Sequence, residues 1–141
     1  MGVSTNGIIV FGIDLEHMDL DGETPEFLNK YPDNYNNKFD NFLLEISGLL
    51  AFGEEEYSLE AIKEFENNYP LELVKHCSEE YPMYILGLRE TIIEASRGYP
   101  KSFNLENFNI SEDKIKFLRD FCEQYNIPYR EPKWYLASMW S

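Results

Sequence analysis

Cysteine, histidine and positive charge are all scarce in this chain, and each scarcity removes a class of function. There are 2 cysteines and 2 histidines among 141 residues. Two cysteines in a chain of this length do not make a disulfide scaffold, and nothing in the spacing of Cys77 and Cys122 supports a bridge. His76 and Cys77 are adjacent, but neighbours in a strand point to opposite faces and cannot serve one metal. His17 and Cys122 add no zinc-ligand spacing, so no metal is expected. His76 reads as a partly exposed histidine and Cys77 as a packed cysteine.

Lysine and arginine number 12 against 26 acids, a net charge of −14. The imbalance is local: residues 1–80 hold 18 acids and 4 bases, whereas residues 81–141 hold 8 of each. Arg89, Arg97, Arg119 and Arg130 all fall in the second part. Such a chain is repelled by anionic membranes, and by nucleic-acid phosphates unless the second part forms a local positive patch, so neither is expected as a direct partner. No apolar run reaches membrane-spanning length. Residues 3–13 lack the basic flank of a signal peptide and are broken by polar residues and glycine, so no signal peptide is read there.

What the chain has in quantity is aromatic surface: 10 Tyr, 10 Phe and 2 Trp in a composition that is 43% hydrophobic. That suffices for one domain, 1–141, with a substantial core. Two stretches are apolar on both faces. Ile8, Val10 and Gly12 alternate with Ile9, Phe11 and Ile13, and Met83, Ile85 and Gly87 alternate with Tyr84, Leu86 and Leu88. Both patterns predict strands covered from two sides. Residues 71–77 and 134–140 read as further strands. Residues 90–96 fit strand or helix, with Thr91, Ile92 and Ile93 favouring strand.

Three helices are predicted. Phe39, Phe42, Leu43, Ile46, Leu49 and Leu50 make one apolar stripe across 38–50. Ser58 opens a second helix, with Leu59, Ile62 and Phe65 turned inward. Ser111 caps a third, with Glu112 and Asp113 in its first turn and Ile115, Leu118, Phe121, Cys122 and Tyr125 along its apolar side. The predicted fold is α+β: a sheet of about four or five strands with three helices packed against it. The first, central and last strands are expected side by side.

The acidic loop 14–37 carries Asp14, Glu16, Asp19, Asp21 and Glu23. An EF-hand register that places Gly22 at its glycine position puts His17 first and Leu28 last, where Asp and Glu belong. The loop is therefore read as a solvated acidic surface, together with Glu54, Glu55 and Glu56. Ser96-Arg97-Gly98-Tyr99-Pro100-Lys101 is the one cluster of cations with glycine and tyrosine. Arg97 and Lys101 suit an anion, Gly98 allows close backbone approach, and Tyr99 offers a stacking ring. The competing reading is a polar turn that closes a strand. Trp134, Tyr135 and Trp140 are read as core rather than as a binding platform, and Glu90 and Glu94 as surface carboxylates rather than a hydrolytic acid pair. No catalytic constellation and no cofactor motif is found.

Ser4-Thr5-Asn6-Gly7-Ile8, His76-Cys77-Ser78 with Tyr81-Pro82-Met83-Tyr84, Ala95-Ser96-Arg97-Gly98-Tyr99-Pro100 and Trp134-Tyr135-Leu136 form a distinctive set. In these the chain resembles a group of small, functionally uncharacterised proteins encoded by tailed bacteriophages. The resemblance covers both ends of the chain and implies a role in the cytoplasm of an infected bacterium. Together with the charge, it leads to the expectation of a non-enzymatic inhibitor. Its acidic residues would occupy a host nucleic-acid-handling or defence protein where phosphates normally bind. The alternative is sequestration of a small anionic nucleotide signal by Arg97, Gly98, Tyr99 and Lys101.

Overall fold

The architecture is taken from a computed structural model, which describes residues 5–15, 28, 39, 42, 46, 67–80 and 82–140. Five strands are present among them: β1 (Thr5–Asp14), β2 (Leu71–Ser78), β3 (Pro82–Leu88), β4 (Ile93–Ala95) and β5 (Lys133–Trp140). Their order in the sheet is β3-β2-β5-β1-β4, with β3 also meeting β1, and the sheet is not closed into a barrel. All pairings are antiparallel except β2 with β5, which run parallel where Cys77 and Ser78 meet Met139 and Trp140.

β1 is the hub. One edge pairs with β5 from Thr5↔Trp140 to Gly12↔Lys133. Its other edge is shared by β3, at Gly12↔Gly87 to Asp14↔Ile85, and β4, at Gly7↔Ala95 to Ile9↔Ile93. Between those two contacts the chain leaves the sheet in a 3-10 turn, Arg89–Thr91. The Thr91 hydroxyl bridges the gap: it accepts from the Phe11 N–H at 3.0 Å and donates to the Leu88 carbonyl at 2.7 Å. At Gly12 the strands come so close that a Cβ would lie 2.2 Å from the Leu86 carbonyl oxygen.

The alternation read from the sequence sorts the core. Phe11, Ile13, Leu15, Leu86 and Leu88 belong to one cluster, completed by Leu28, Phe39, Phe42, Leu71 and the helix α1 (Glu112–Gln124) through Leu118, Phe121 and Cys122. The opposite faces of the same strands give a second cluster of Ile8, Val10, Val74 and Ile85, with Ile92, Tyr135, Ala137 and Met139 packed against it. Aromatic edges fasten α1 down: the Phe42 ring meets Phe121 at 6.1 Å and Tyr125 at 5.4 Å, both near perpendicular.

The expectation of three helices is corrected. Among the described residues there is one helix of seven or more residues, α1, beside a mixed five-stranded sheet. Phe39 and Phe42 are buried and Ile46 packs on the first cluster, but the rest of 38–50 and nearly all of 59–67 lie outside the described residues. Phe39, Phe42 and Ile46 are each helical, as their spacing requires, but a continuous helix of seven or more residues is described only for α1. The cap on α1 is corrected too. Ser111 is the N-cap residue but makes no side-chain cap bond; its carbonyl accepts from the Lys114 and Ile115 N–H groups at 3.2 and 3.3 Å. The helix ends at Gln124; Asn126 then takes a φ of 56° while Ile127 N–H returns to the Cys122 carbonyl at 2.8 Å. Residues 90–96 divide: 3-10 turn, then the short strand β4.

Candidate functional site

Of the predicted acidic surface, Asp14 alone is described. It ends β1, half-buried, opposite Ile85. Burial pushes the Tyr135 hydroxyl above its usual range, and the Asp14 carboxylate adds to the shift. Glu16, Asp19, Asp21, Glu23, Glu54, Glu55 and Glu56 lie outside the described residues.

Arg97, Gly98, Tyr99 and Lys101 are brought together on one turn beyond β4. Tyr99 N–H closes it onto the Ser96 carbonyl at 2.9 Å, and Gly98 takes a φ of 82°, the left-handed conformation that favours glycine. All four are exposed, Tyr99 to 76%. This is the geometry of a polar turn ending a strand.

Two features stand out that the sequence reading set aside or missed. The first is an open sheet face. Trp134, Leu136, Ser138 and Trp140 share one face of β5, and register places Phe11, Ile9, Gly7 and Thr5 of β1 beside them. β4 continues the rows with Ile93 beside Ile9 and Ala95 beside Gly7. At the Phe11 end this face belongs to the core under α1. At the Gly7 end it is uncovered: Leu136 is 81% and Trp140 58% exposed, and a Cβ on Gly7 would meet nothing within 4 Å. The small row Ser138–Gly7–Ala95 thus forms a shallow trough between the wall Leu136–Ile9–Ile93 and Trp140. Trp140 therefore lies outside the core, contrary to expectation. As the last residue of its strand it has core neighbours on one side only. Trp134 and Tyr135 are half-buried.

The second is a hollow of about 360 Å3 on the far side of that apolar wall. It is lined by Glu90 and Ile93 from the turn and β4, by Glu106, Phe108 and Asn109 of the segment after the 3-10 turn Leu105–Phe108 begins, and by Lys114 and Trp134. Trp134 donates its indole N–H to the Phe108 carbonyl at 3.2 Å, and the two rings meet edge to face at 4.5 Å. Lys114 Nζ reaches Glu90 Oε1 at 2.6 Å, with both side chains about half exposed. Glu94 accepts from Asn6 Nδ2 at 3.0 Å on the opposite face. Both glutamates are surface groups, as expected.

Among the described residues no group of three His, Cys, Asp or Glu side chains is placed to hold a metal, and both cysteines are free thiols. No helix among them is long and apolar enough to cross a membrane. No family model, curated protein or solved structure matches the chain.

Proposed function

We propose that this chain is a non-enzymatic binding protein, encoded by a bacteriophage, that blocks a basic host protein engaged in nucleic-acid handling or defence in the cytoplasm of the infected cell. The observation that carries the reading is an apolar sheet face left open at Leu136, Gly7 and Trp140 in a chain of net charge −14. Exposed Trp and Leu in a chain of strongly one-signed net charge suit a docking protein, with apolar anchors for residence and charge for encounter. The acidic residues Asp14, Glu16, Asp19, Asp21, Glu23, Glu54, Glu55 and Glu56 supply the field. A basic groove built for phosphates is complementary to it.

The test has two arms. Proteins captured from host lysate on the immobilised chain are purified, and their association is followed at rising salt and against competing duplex DNA. The expected partner is basic, is displaced by DNA, and associates more slowly as salt rises or when Glu54, Glu55 and Glu56 are reversed to lysine. Leu136→Asp is expected to speed its dissociation. Association indifferent to salt, to DNA and to the reversal rules out the reading.

A further inference from the structure

We infer that the hollow beside Trp134 is an acceptor for a cationic side chain, a guanidinium or an ammonium. In the reading above that cation belongs to the basic partner, and to that extent the inference rests on it. The hollow's volume of about 360 Å3 lies near the lower end of small-ligand sites, ~300–1,000 Å3. Its chemistry selects a cation. Glu90 and Glu106 contribute carboxylates, and Asn109 an amide whose Nδ2 is held by the Glu106 carbonyl at 3.2 Å. Phe108 and Trp134 contribute ring surface, and aromatic rings attract cations. Among the described lining groups Lys114 is the one cation, and it is already seated on Glu90 at 2.6 Å. That ion pair shows the rim holding an ammonium from the protein itself. The Lys114 ammonium is thus engaged by Glu90, whereas an added guanidinium finds the Glu106 carboxylate and two rings.

The hollow also stands where a docked partner would reach it. Ile93 is both a lining residue and part of the apolar wall Leu136–Ile9–Ile93. A partner seated on the open face is one row away, so a single arginine or lysine at its edge could enter.

The probe is N-acetyl-arginine amide, with N-acetyl-citrulline amide as the neutral match. Trp140→Phe leaves Trp134 as the single indole, since the chain has 2 Trp. Its N–H signal is followed by NMR during titration, and the backbone amide spectrum reports that the fold is kept. The expected result is a saturable shift of the Trp134 indole with the arginine compound and none with the citrulline one. Glu106→Gln lowers the affinity by about tenfold, the size of a charge-assisted hydrogen bond. Lys114→Ala raises it, because it frees Glu90. Shifts that never saturate, equal responses to both compounds, or an affinity unmoved by Glu106→Gln overturn the inference. Probe binding without any host partner leaves the hollow standing and removes the broader reading; a basic host partner with a silent probe does the reverse.

Discussion

Thr91 shows how much one hydroxyl can carry. It is buried, and its oxygen links the Phe11 N–H of β1 to the Leu88 carbonyl where the chain leaves the sheet. Thr91→Val keeps the shape and strands both backbone groups, so a loss of about 1–3 kcal/mol is expected in chemical denaturation. Thr91→Ser, which keeps the oxygen, should lose clearly less. Cys122 makes a prediction about pH. Burial pushes its thiol from 9.0 up to about 11, and burial likewise raises Tyr125 and Tyr135. The native state therefore keeps protons that the unfolded chain releases. The stability tied to Cys122 is complete below about pH 9, and it is lost as pH rises through about 11. Urea midpoints across that range should fall for the wild type and fall less steeply for Cys122→Ala.

At the scale of elements, α1 is held by its inward residues. Leu118 is fully buried, so Leu118→Ala should cost about 2–5 kcal/mol, and Phe42→Ala, which removes a ring wedged against Phe121 and Tyr125, about 3–5 kcal/mol. Gly12→Ala should cost about 1–3 kcal/mol, because the added methyl meets the Leu86 backbone rather than a side chain able to move aside. The strands were legible in the sequence because a two-residue period places each apolar residue on a definite face. Ile8 and Val10 separated from Phe11 and Ile13 as their spacing required. Among the described residues one helix of seven or more stands where three were expected; Phe39, Phe42 and Ile46 are each helical, but the residues between them lie outside those described. The break at Arg89–Thr91 was hidden: Ile92 and Ile93 favour strand, while the Thr91 hydroxyl spans the turn by accepting from the Phe11 N–H and donating to the Leu88 carbonyl. The candidate site was the least visible. Its hollow draws on residues near 90, 106 and 134, distant in the chain and unremarkable one by one. Leu136 and Trp140 look like core until the register shows that nothing stands over Gly7.

Over the whole molecule the dominant quantity is charge. Residues 1–80 carry the entire excess of −14, 18 acids against 4 bases. Like charges at that density repel one another in the compact state, and salt screens them. The thermal midpoint is therefore expected to rise between about 0.01 and about 0.15 M salt, as the screening length falls from ~30 to ~8 Å. A midpoint that stays flat would mean that the acids are too far apart in the fold to oppose it. This trend runs opposite to the one expected for association with a basic partner. Comparing the two in the same buffers separates folding from binding.

The pairing of β1 with β5 also sets a timetable. The first described strand finds its longest partner in the last, from Thr5↔Trp140 to Gly12↔Lys133. During synthesis at ~5–20 residues per second, β1 leaves the ribosome on the order of ten seconds before β5 does. Through that interval a strand apolar on both faces waits with an edge unsatisfied, the state in which nascent chains stick to one another and in which holding chaperones bind. The sheet closes over β1 only after residues 133–140 have emerged, and such long-range closure is intrinsically slow.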